Sequence, residues 1–495
     1  MKMPDPEKEI LDKLPELTRR LVRLLGKQAV ISSDQGRKAF ESDGLTAYRQ
    51  SPMIVALPGS TKDVSEVLKI CNELNIKVVP RGAGTSLSGG ALPLEDGLTL
   101  GLSKLNKIID IDYQNRCVVS QCGVTNLAIT HAVEEQGFYY APDPSSQIAC
   151  TIGGNVAENS GGVHCLKYGL TTNNILGLKM VLMNGDIIEL GGKHMQESGY
   201  DLIGLITGSE GLLGVVTEAT LRILPKANVI KAMLIGFDDI EKAGECVAST
   251  IASGIIPAGM EMMDNLAINA AEDYCHPGYP RDAAAILIAE FDGVESEVDY
   301  FTERVSELAK ELGATSIAIS QSEEEKNGFW AGRKAAFPAV GRISPDYYCM
   351  DGSIPRKKLP IVLRRMNELS KKYGLRVANV FHAGDGNLHP LILYDANVPG
   401  ELERAEEFGA DILRLCVEVG GALTGEHGIG VEKRDLMPAM FTKDDLNQQE
   451  RIKCAFDPAH RLNPGKMFPE LHRCAELGKM HIHGGKLLFP DIPRF

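Results

Sequence analysis

Residues 80–90 read PRGAGTSLSGG: four glycines and three hydroxyl side chains directly after the β-prone run KVV. Glycine lets the backbone turn successive N–H groups inward, forming a nest for an anion. Thr85, Ser86 and Ser88 add side-chain donors. The chemistry suggested is a cradle for a pyrophosphate. No Gly-Lys-Ser/Thr follows, so this is not a Walker A loop. The next residues, ALPLEDGLTLGL, do not read as the helix that a Rossmann fingerprint requires. Taken by itself, such a loop is equally well explained as an ordinary turn.

Two further clusters change that balance. Residues 142–169 read PDPSSQIACTIGGNVAENSGGVHCLKYG, and residues 206–225 read ITGSEGLLGVVTEATLRILP. Three glycine-rich loops interleaved with β segments suit a large, flat, polyphosphate-bearing ligand that the backbone must approach closely.

PRGAGTSLSGG, CTIGGNVAENSGG, GSEGLLGVVTEATLRILP and the late RLNPGKMF resemble the vanillyl-alcohol-oxidase-type FAD-binding flavoproteins. Within these, the block GRKAAFPAVGRISPDYYCMDGSIPR is most similar to the flavin-linked subunits of bacterial glycolate oxidases (glycolate dehydrogenases). D-lactate and D-2-hydroxyglutarate dehydrogenases are relatives of the same type. The resemblance covers nearly the whole chain. It implies an α+β fold: a two-part FAD-binding domain with an inserted α+β substrate, or cap, domain. It also implies that Arg81, Gly82, Ala83, Gly84, Thr85, Ser86, Gly89 and Gly90 hold the FAD phosphates. Ser145, Thr151, Gly154, Asn155, Asn159 and Val216 are expected nearer the ribityl chain and ring. Gly162, Gly211 and Asn463 belong to the same expected site. Some members attach FAD through a His in the first loop; Thr85 and Ser86 stand there instead, so noncovalent FAD is expected.

Pattern and composition set the frame. The chain has 495 residues, enough for two or three domains at ~150 each. An N-terminal helical arm is expected over 1–51 and the FAD-binding domain over 52–226. A cap with an antiparallel sheet is expected over 227–420, a segment completing the active site and FAD domain over 421–470, and an irregular tail over 471–495. The helix TKDVSEVLKICNELN is expected to be capped by Thr61, and Asn184–Gly185 to turn a hairpin. The formal charge of −14 is spread along the chain, which argues against duplex phosphates as a partner. Aromatic residues are 6% with a single Trp330, too few for base-stacking platforms. The 11 cysteines are scattered without a C-x-x-C, so reduced thiols are expected and no iron–sulfur cluster on this chain. Electrons leaving singly would need a cluster on another subunit. The first residues lack a secretory apolar region, and no run approaches the ~20 apolar residues of a bilayer span. A cytoplasmic protein is expected, with any attachment to the inner membrane made through partner subunits.

Residues 379–394 read NVFHAGDGNLHPLILY, with His382 and His389 on either side of a glycine-rich reversal. A hairpin pairing the two would put both rings on one face, within reach of a common ion. The bland alternative is one core hydrogen bond and one turn cap. A third ligand is offered by GGALTGEHGIG, residues 420–430, where Glu426 and His427 sit between glycines after a long helix. His, His and Glu make a divalent-cation site with an open position. The resemblance implies a divalent metal (Zn, Mn or Fe) at His382, His389 and Glu426, with His427 as the base. Arg333 matches the family's carboxylate-binding arginine, with Arg342 a second candidate. Relatives carry a polar residue where this chain has Leu391, which leaves fewer protein groups on the metal. The implied reaction is oxidation of a small 2-hydroxy acid: proton to His427, hydride to flavin N5. A Lys that relatives handling diacids carry near Cys349 or Met350 is missing, which favours glycolate or D-lactate. Implied partners are a second flavin-domain subunit and an iron–sulfur subunit. A noncatalytic flavin-carrying scaffold is the alternative from another class; a metal hydrolase lacks H-E-x-x-H and would leave the loops unexplained. His164 is expected near the flavin or supporting that loop, and His481 and His483 as a surface pair.

Overall fold

The computed structural model describes residues 3–194 and 199–469. The expected tail, with His481 and His483, lies outside the described residues.

The first sheet forms from short apolar runs. Ile54–Ala56 and Gly97–Gly101 are buried throughout and pair in parallel, and Lys77–Arg81 adds to the far side. Parallel neighbours need a crossover, and the helix Thr61–Leu74 supplies it, burying Val64, Val67, Leu68 and Cys71. Its cap is Ser60, whose hydroxyl accepts the Asp63 N–H at 3.1 Å. The expected cap at Thr61 is thus one residue late. The helix Leu14–Leu25 packs outside it and buries Leu17 and Leu21. The strand Lys77–Arg81 ends where the first glycine loop begins, so that loop lies at the carboxyl end of a parallel strand, where ligands of open α/β sheets bind.

A second sheet of five antiparallel strands runs in the order Ile108–Asp112, Cys117–Gln121, Val215–Arg222, Ile175–Val181, Ile187–Gly191. Its last two strands form the expected hairpin, with Gly185 at φ +86° in the turn.

A third sheet has seven antiparallel strands, all between Val229 and Tyr394. Residues alternate between its faces: Met233, Ile235 and Met262 belong to one apolar cluster, Leu234, Met263 and Ile288 to another. Helices cover both faces, so the inner strand Ala285–Gly293 is buried along almost its whole length. The chain then returns to the first sheet. The Val78 N–H donates to the Arg461 carbonyl at 2.8 Å, and the Asn463 N–H to the Val78 carbonyl at 2.7 Å. Among the described residues no helix is long and apolar enough to cross a membrane.

Candidate active site

A cavity of about 520 Å³ lies between the glycine loops and reaches the seven-stranded sheet. Its wall includes Arg81, Gly82, Ala83, Gly84, Thr85, Ser86 and Gly90 from the first loop. Ser145, Thr151, Gly154, Asn155, Gly211 and Val216 line it from the other two. The loops touch: a Cβ on Gly82 would stand 2.4 Å from the Thr151 hydroxyl. The wall also includes His389, Glu426, His427 and Phe337. One continuous space thus joins the backbone cradle to the acid–imidazole group.

Four residues expected on this wall are not part of it. Gly89 has φ +76°, and a Cβ there would strike Val431 at 2.3 Å; it makes room for protein, not ligand. Asn159 ends the helix Ile152–Glu158 in a left-handed conformation and accepts the Thr172 N–H at 2.9 Å. Gly162 packs against the Asp143 carbonyl. Asn463 donates to the Gly90 carbonyl at 3.0 Å and the Glu210 carbonyl at 2.8 Å, bracing the first loop against the third. In all four the polar or bare backbone position is used by neighbouring protein.

The histidine hairpin forms, but its register differs from direct pairing. Val377–Phe381 pairs with Pro390–Tyr394 with Asn379 opposite Pro390, and His382 faces Asn387. His389 is therefore the diagonal neighbour of His382, on the same face. The rings meet edge-on with centroids 4.9 Å apart. Glu426 Oε1 lies 3.3 Å from His382 Nε2 and 3.3 Å from His389 Nε2. Ligand atoms of the three lie within 4.8 Å of one another. His389 Nε2 is buried with no hydrogen-bond partner. Buried polar atoms are rarely left so, because an unmade hydrogen bond costs ~1–3 kcal/mol. Two imidazole nitrogens and a carboxylate oxygen at this spacing fit a divalent cation. A second trio, Asp351, His389 and His427, shares His389. Asp351 is already committed to protein donors, so the first trio is the better cage.

The loop carrying Glu426 and His427 hangs between two buried carboxylates. Asp351 accepts the N–H groups of Gly425 at 3.1 Å, Glu426 at 3.2 Å and His427 at 2.8 Å. It also meets Lys433 Nζ at 3.2 Å. Beyond the loop, Glu210 accepts the Ile429 and Gly430 N–H groups, both at 2.7 Å. Glu210 belongs to the third glycine loop, so the loop carrying the candidate ligand Glu426 is tied to that loop as well as to Asp351. Gly161, in the second loop, donates its N–H to Glu426 Oε2 at 3.1 Å.

Arg333 does not line the cavity. Its Nε donates to Glu261 Oε2 at 2.8 Å, and Glu261 Oε1 meets His382 Nδ1 at 2.7 Å. In this structure the guanidinium is engaged in an internal ion pair with Glu261, which leaves neither buried charge unmatched. Such a carboxylate behind an imidazole sets its tautomer and orientation. Arg342 donates to the Asp273 carbonyl at 2.9 Å, away from the site. His164 lies between Asp143 at 2.8 Å and Glu290 at 3.1 Å, joining the second loop to the large sheet as a support.

These contacts set the charges. Burial raises Glu426, but His382, His389 and His427 outweigh it and bring its carboxyl down to about 2. Burial likewise opposes ionisation of Asp351, yet His427, Lys433 and His389 hold it well below the usual carboxylate range. For His427 burial dominates and, against the opposing Asp351 carboxylate, brings the imidazole down to about 4. A neutral His427, with Nδ1 4.0 Å from Asp351 Oδ2, can accept a proton.

Asp351, Glu210 and Glu261 escape sequence reasoning. Asp351 and Glu210 sit inside the quoted stretches GRISPDYYCMDGSIPR and GSEGLLG, but nothing local marks their partners.

Comparison with known proteins shows what the chain is similar to. Residues 52–191 match a family described as FAD binding domain, and residues 226–467 the family FAD linked oxidases, C-terminal domain. The chain is 55% identical over 487 residues to the glycolate oxidase subunit GlcD of Escherichia coli strain K12, covering 97% of this chain and 98% of that one. The Bacillus subtilis protein of the same name is 39% identical, covering 92% and 97%. A D-lactate dehydrogenase of Archaeoglobus fulgidus is 34% identical, covering 87% and 95%. Among solved structures, p-cresol methylhydroxylase superposes with a TM-score of 0.78 at 19% identity, covering 94% of this chain and 98% of that one. The 4-ethylphenol oxidase of Gulosibacter chungangensis gives 0.79 at 17% identity, covering 96% and 100%. These two share the fold of the vanillyl-alcohol-oxidase type.

Proposed function

Since this chain belongs to the family of FAD-linked oxidases, we propose that it oxidises a small 2-hydroxy acid, glycolate foremost and D-lactate next, to the 2-oxo acid. The observation that carries this reading is the single cavity running from the glycine loops to His389, Glu426 and His427. The names of the similar proteins, a glycolate oxidase subunit and a D-lactate dehydrogenase, support it.

The first glycine loop, with Ser145, Thr151, Gly154, Asn155, Gly211 and Val216 of the other two, would hold FAD noncovalently, which would supply a two-electron acceptor. His382, His389 and Glu426 would hold a divalent cation, which would supply Lewis-acid polarisation of a substrate hydroxyl. The chain's own residues do the rest. His427, kept neutral by burial, takes the hydroxyl proton. Asp351 fixes the main chain on which that ring stands. Glu261 orients His382, with Arg333 neutralising the buried carboxylate behind it. Phe337 adds an aromatic ring to the wall of the space.

In this reading residues 52–226 and 421–470 form the flavin part, 227–420 the cap and 1–51 an outer arm. Relatives are named as subunits, so we place this chain in a larger oxidase, with a second flavin-domain subunit and an iron–sulfur subunit as partners.

The test is direct. Purified protein is expected to be yellow, to release flavin on denaturation, and to bleach when glycolate or D-lactate is added without oxygen. A flavin that stays oxidised across a panel of 2-hydroxy acids would falsify the assignment.

A further inference from the structure

Beyond Val216 the chain contributes four residues to the cavity wall: Phe337, His389, Glu426 and His427. Three are the polar side chains of the candidate centre. The fourth is an aromatic ring. We propose that Phe337 determines substrate specificity by limiting the group on C2, restricting the site to 2-hydroxy monoacids with a hydrogen or a short alkyl group there. The inference rests on the oxidation reaction assigned above and adds the substrate boundary.

The ring is held in place. Phe337 lies on the short helix Ala336–Val340, whose Ala336, Ala339 and Val340 are buried. Its ring meets Tyr347 at a centroid distance of 6.0 Å and 68°. Tyr347 is itself fixed in the strand Asp346–Cys349, opposite Leu393. Arg333 stands four residues earlier and grips Glu261, which holds His382. The ring and the candidate ligands are therefore mounted on one connected framework.

The chemistry follows from what the wall lacks. A hydroxyl and a carboxylate suit the imidazole end of the cavity. Phe337 carries the one aromatic ring on this wall besides the two imidazoles, and we place the C2 substituent against it. Among the wall residues the one permanently cationic side chain is Arg81, in the first glycine loop, while Glu158, Glu210 and Glu426 are acidic. A second carboxylate on the substrate would be buried beside glutamates without a cation, which is costly. A longer alkyl chain would collide with a braced ring. Rejection by such a wall is ~10–200-fold per added methylene.

The experiment uses the flavin-loaded protein and anaerobic flavin reduction. Substrates are glycolate, D-lactate, D-2-hydroxybutyrate, D-2-hydroxyhexanoate and D-2-hydroxyglutarate. In the wild type, kcat/KM is expected to fall at least ~10-fold from D-lactate to D-2-hydroxyhexanoate. Phe337→Ala should raise D-2-hydroxyhexanoate at least ~10-fold relative to glycolate, chiefly through KM, and leave the diacid poor. Phe337→Trp should depress D-lactate relative to glycolate. A wild type that takes long chains as well as glycolate overturns the proposal. So does an alanine variant that keeps flavin and glycolate turnover with the wild-type profile. Should Phe337→Ala fail to load flavin, Phe337→Leu decides by the same ratio. If no 2-hydroxy acid reduces the wild-type flavin, the reaction assignment falls first, and that result is distinct from an unchanged profile.

Discussion

The Asp351 carboxylate accepts the backbone N–H of His427 at 2.8 Å and stands 4.0 Å from that residue's Nδ1. One buried acid therefore anchors the main chain of the candidate base and lies beside its ring. It also neutralises Lys433, and both side chains are fully buried.

Asp351→Asn removes the charge while keeping the shape. Lys433 is left buried beside a neutral amide, and breaking such a pair costs about 3–5 kcal/mol. The variant is expected to melt well below the wild type and to reduce its flavin slowly with glycolate. Unchanged thermal midpoint and rate would show that the loop is anchored elsewhere.

His427→Ala keeps the cage of His382, His389 and Glu426. Flavin content and cation content should match the wild type, while substrate-dependent reduction falls about 10²–10⁴-fold, the usual contribution of a positioned base. Single-turnover kinetics would check this; reduction at the wild-type rate removes His427 from the role.

Glu261→Gln tests the support behind the cage. His382 Nδ1 loses its charged partner at 2.7 Å. Cation affinity, read by titration with a chelator, should weaken about 10–100-fold with flavin retained. Equal affinity in the two proteins would contradict the role given to Glu261.

Dialysis against a chelator separates the cation from the flavin. The yellow colour should persist, and reduction by glycolate should drop by about 100-fold or more, since a Lewis acid supplies several kcal/mol. Adding back Zn, Mn or Fe singly identifies the ion by the activity restored. Full activity in metal-free protein would show that the three residues serve another purpose.

Asp264 gives a pH dependence away from the centre. It caps the helix Asn265–Cys275, and burial pushes its carboxyl up to about 6 from 3.8. A raised carboxyl pKa means the folded state binds the proton more tightly than the unfolded one. This contribution is complete below about pH 4 and disappears as pH rises through about 6, a change of about 3 kcal/mol at most. Asp264→Asn should flatten the denaturant midpoint over that window. Parallel curves for the two proteins would refute it.

Much of the cofactor cradle was legible because its signal is local. Thirteen expected wall residues, Arg81 to Ser86 with Gly90, Ser145, Thr151, Gly154, Asn155, Gly211 and Val216, do line the cavity. Backbone that must come close to a ligand requires glycine and small hydroxyls in short runs, and such runs can be read one residue at a time. Gly89, Asn159, Gly162 and Asn463 carry the same local signature. They serve close protein contacts instead, and residue type does not separate the two uses.

His382, His389 and Glu426 were also recognisable as residue types. Their geometry was not. The register that makes His389 a diagonal neighbour of His382 depends on how many residues the turn consumes. The partners were invisible for a simpler reason: Glu261 lies 121 residues before His382 and Glu210 lies 219 before Ile429. A buried imidazole, guanidinium or amide takes whichever carboxylate the sheets bring beside it. From the chain in isolation came the list of groups able to hold a flavin and a cation. Folding decided which of them touch, because sheet order and register, not distance along the backbone, set the neighbours of a buried charge.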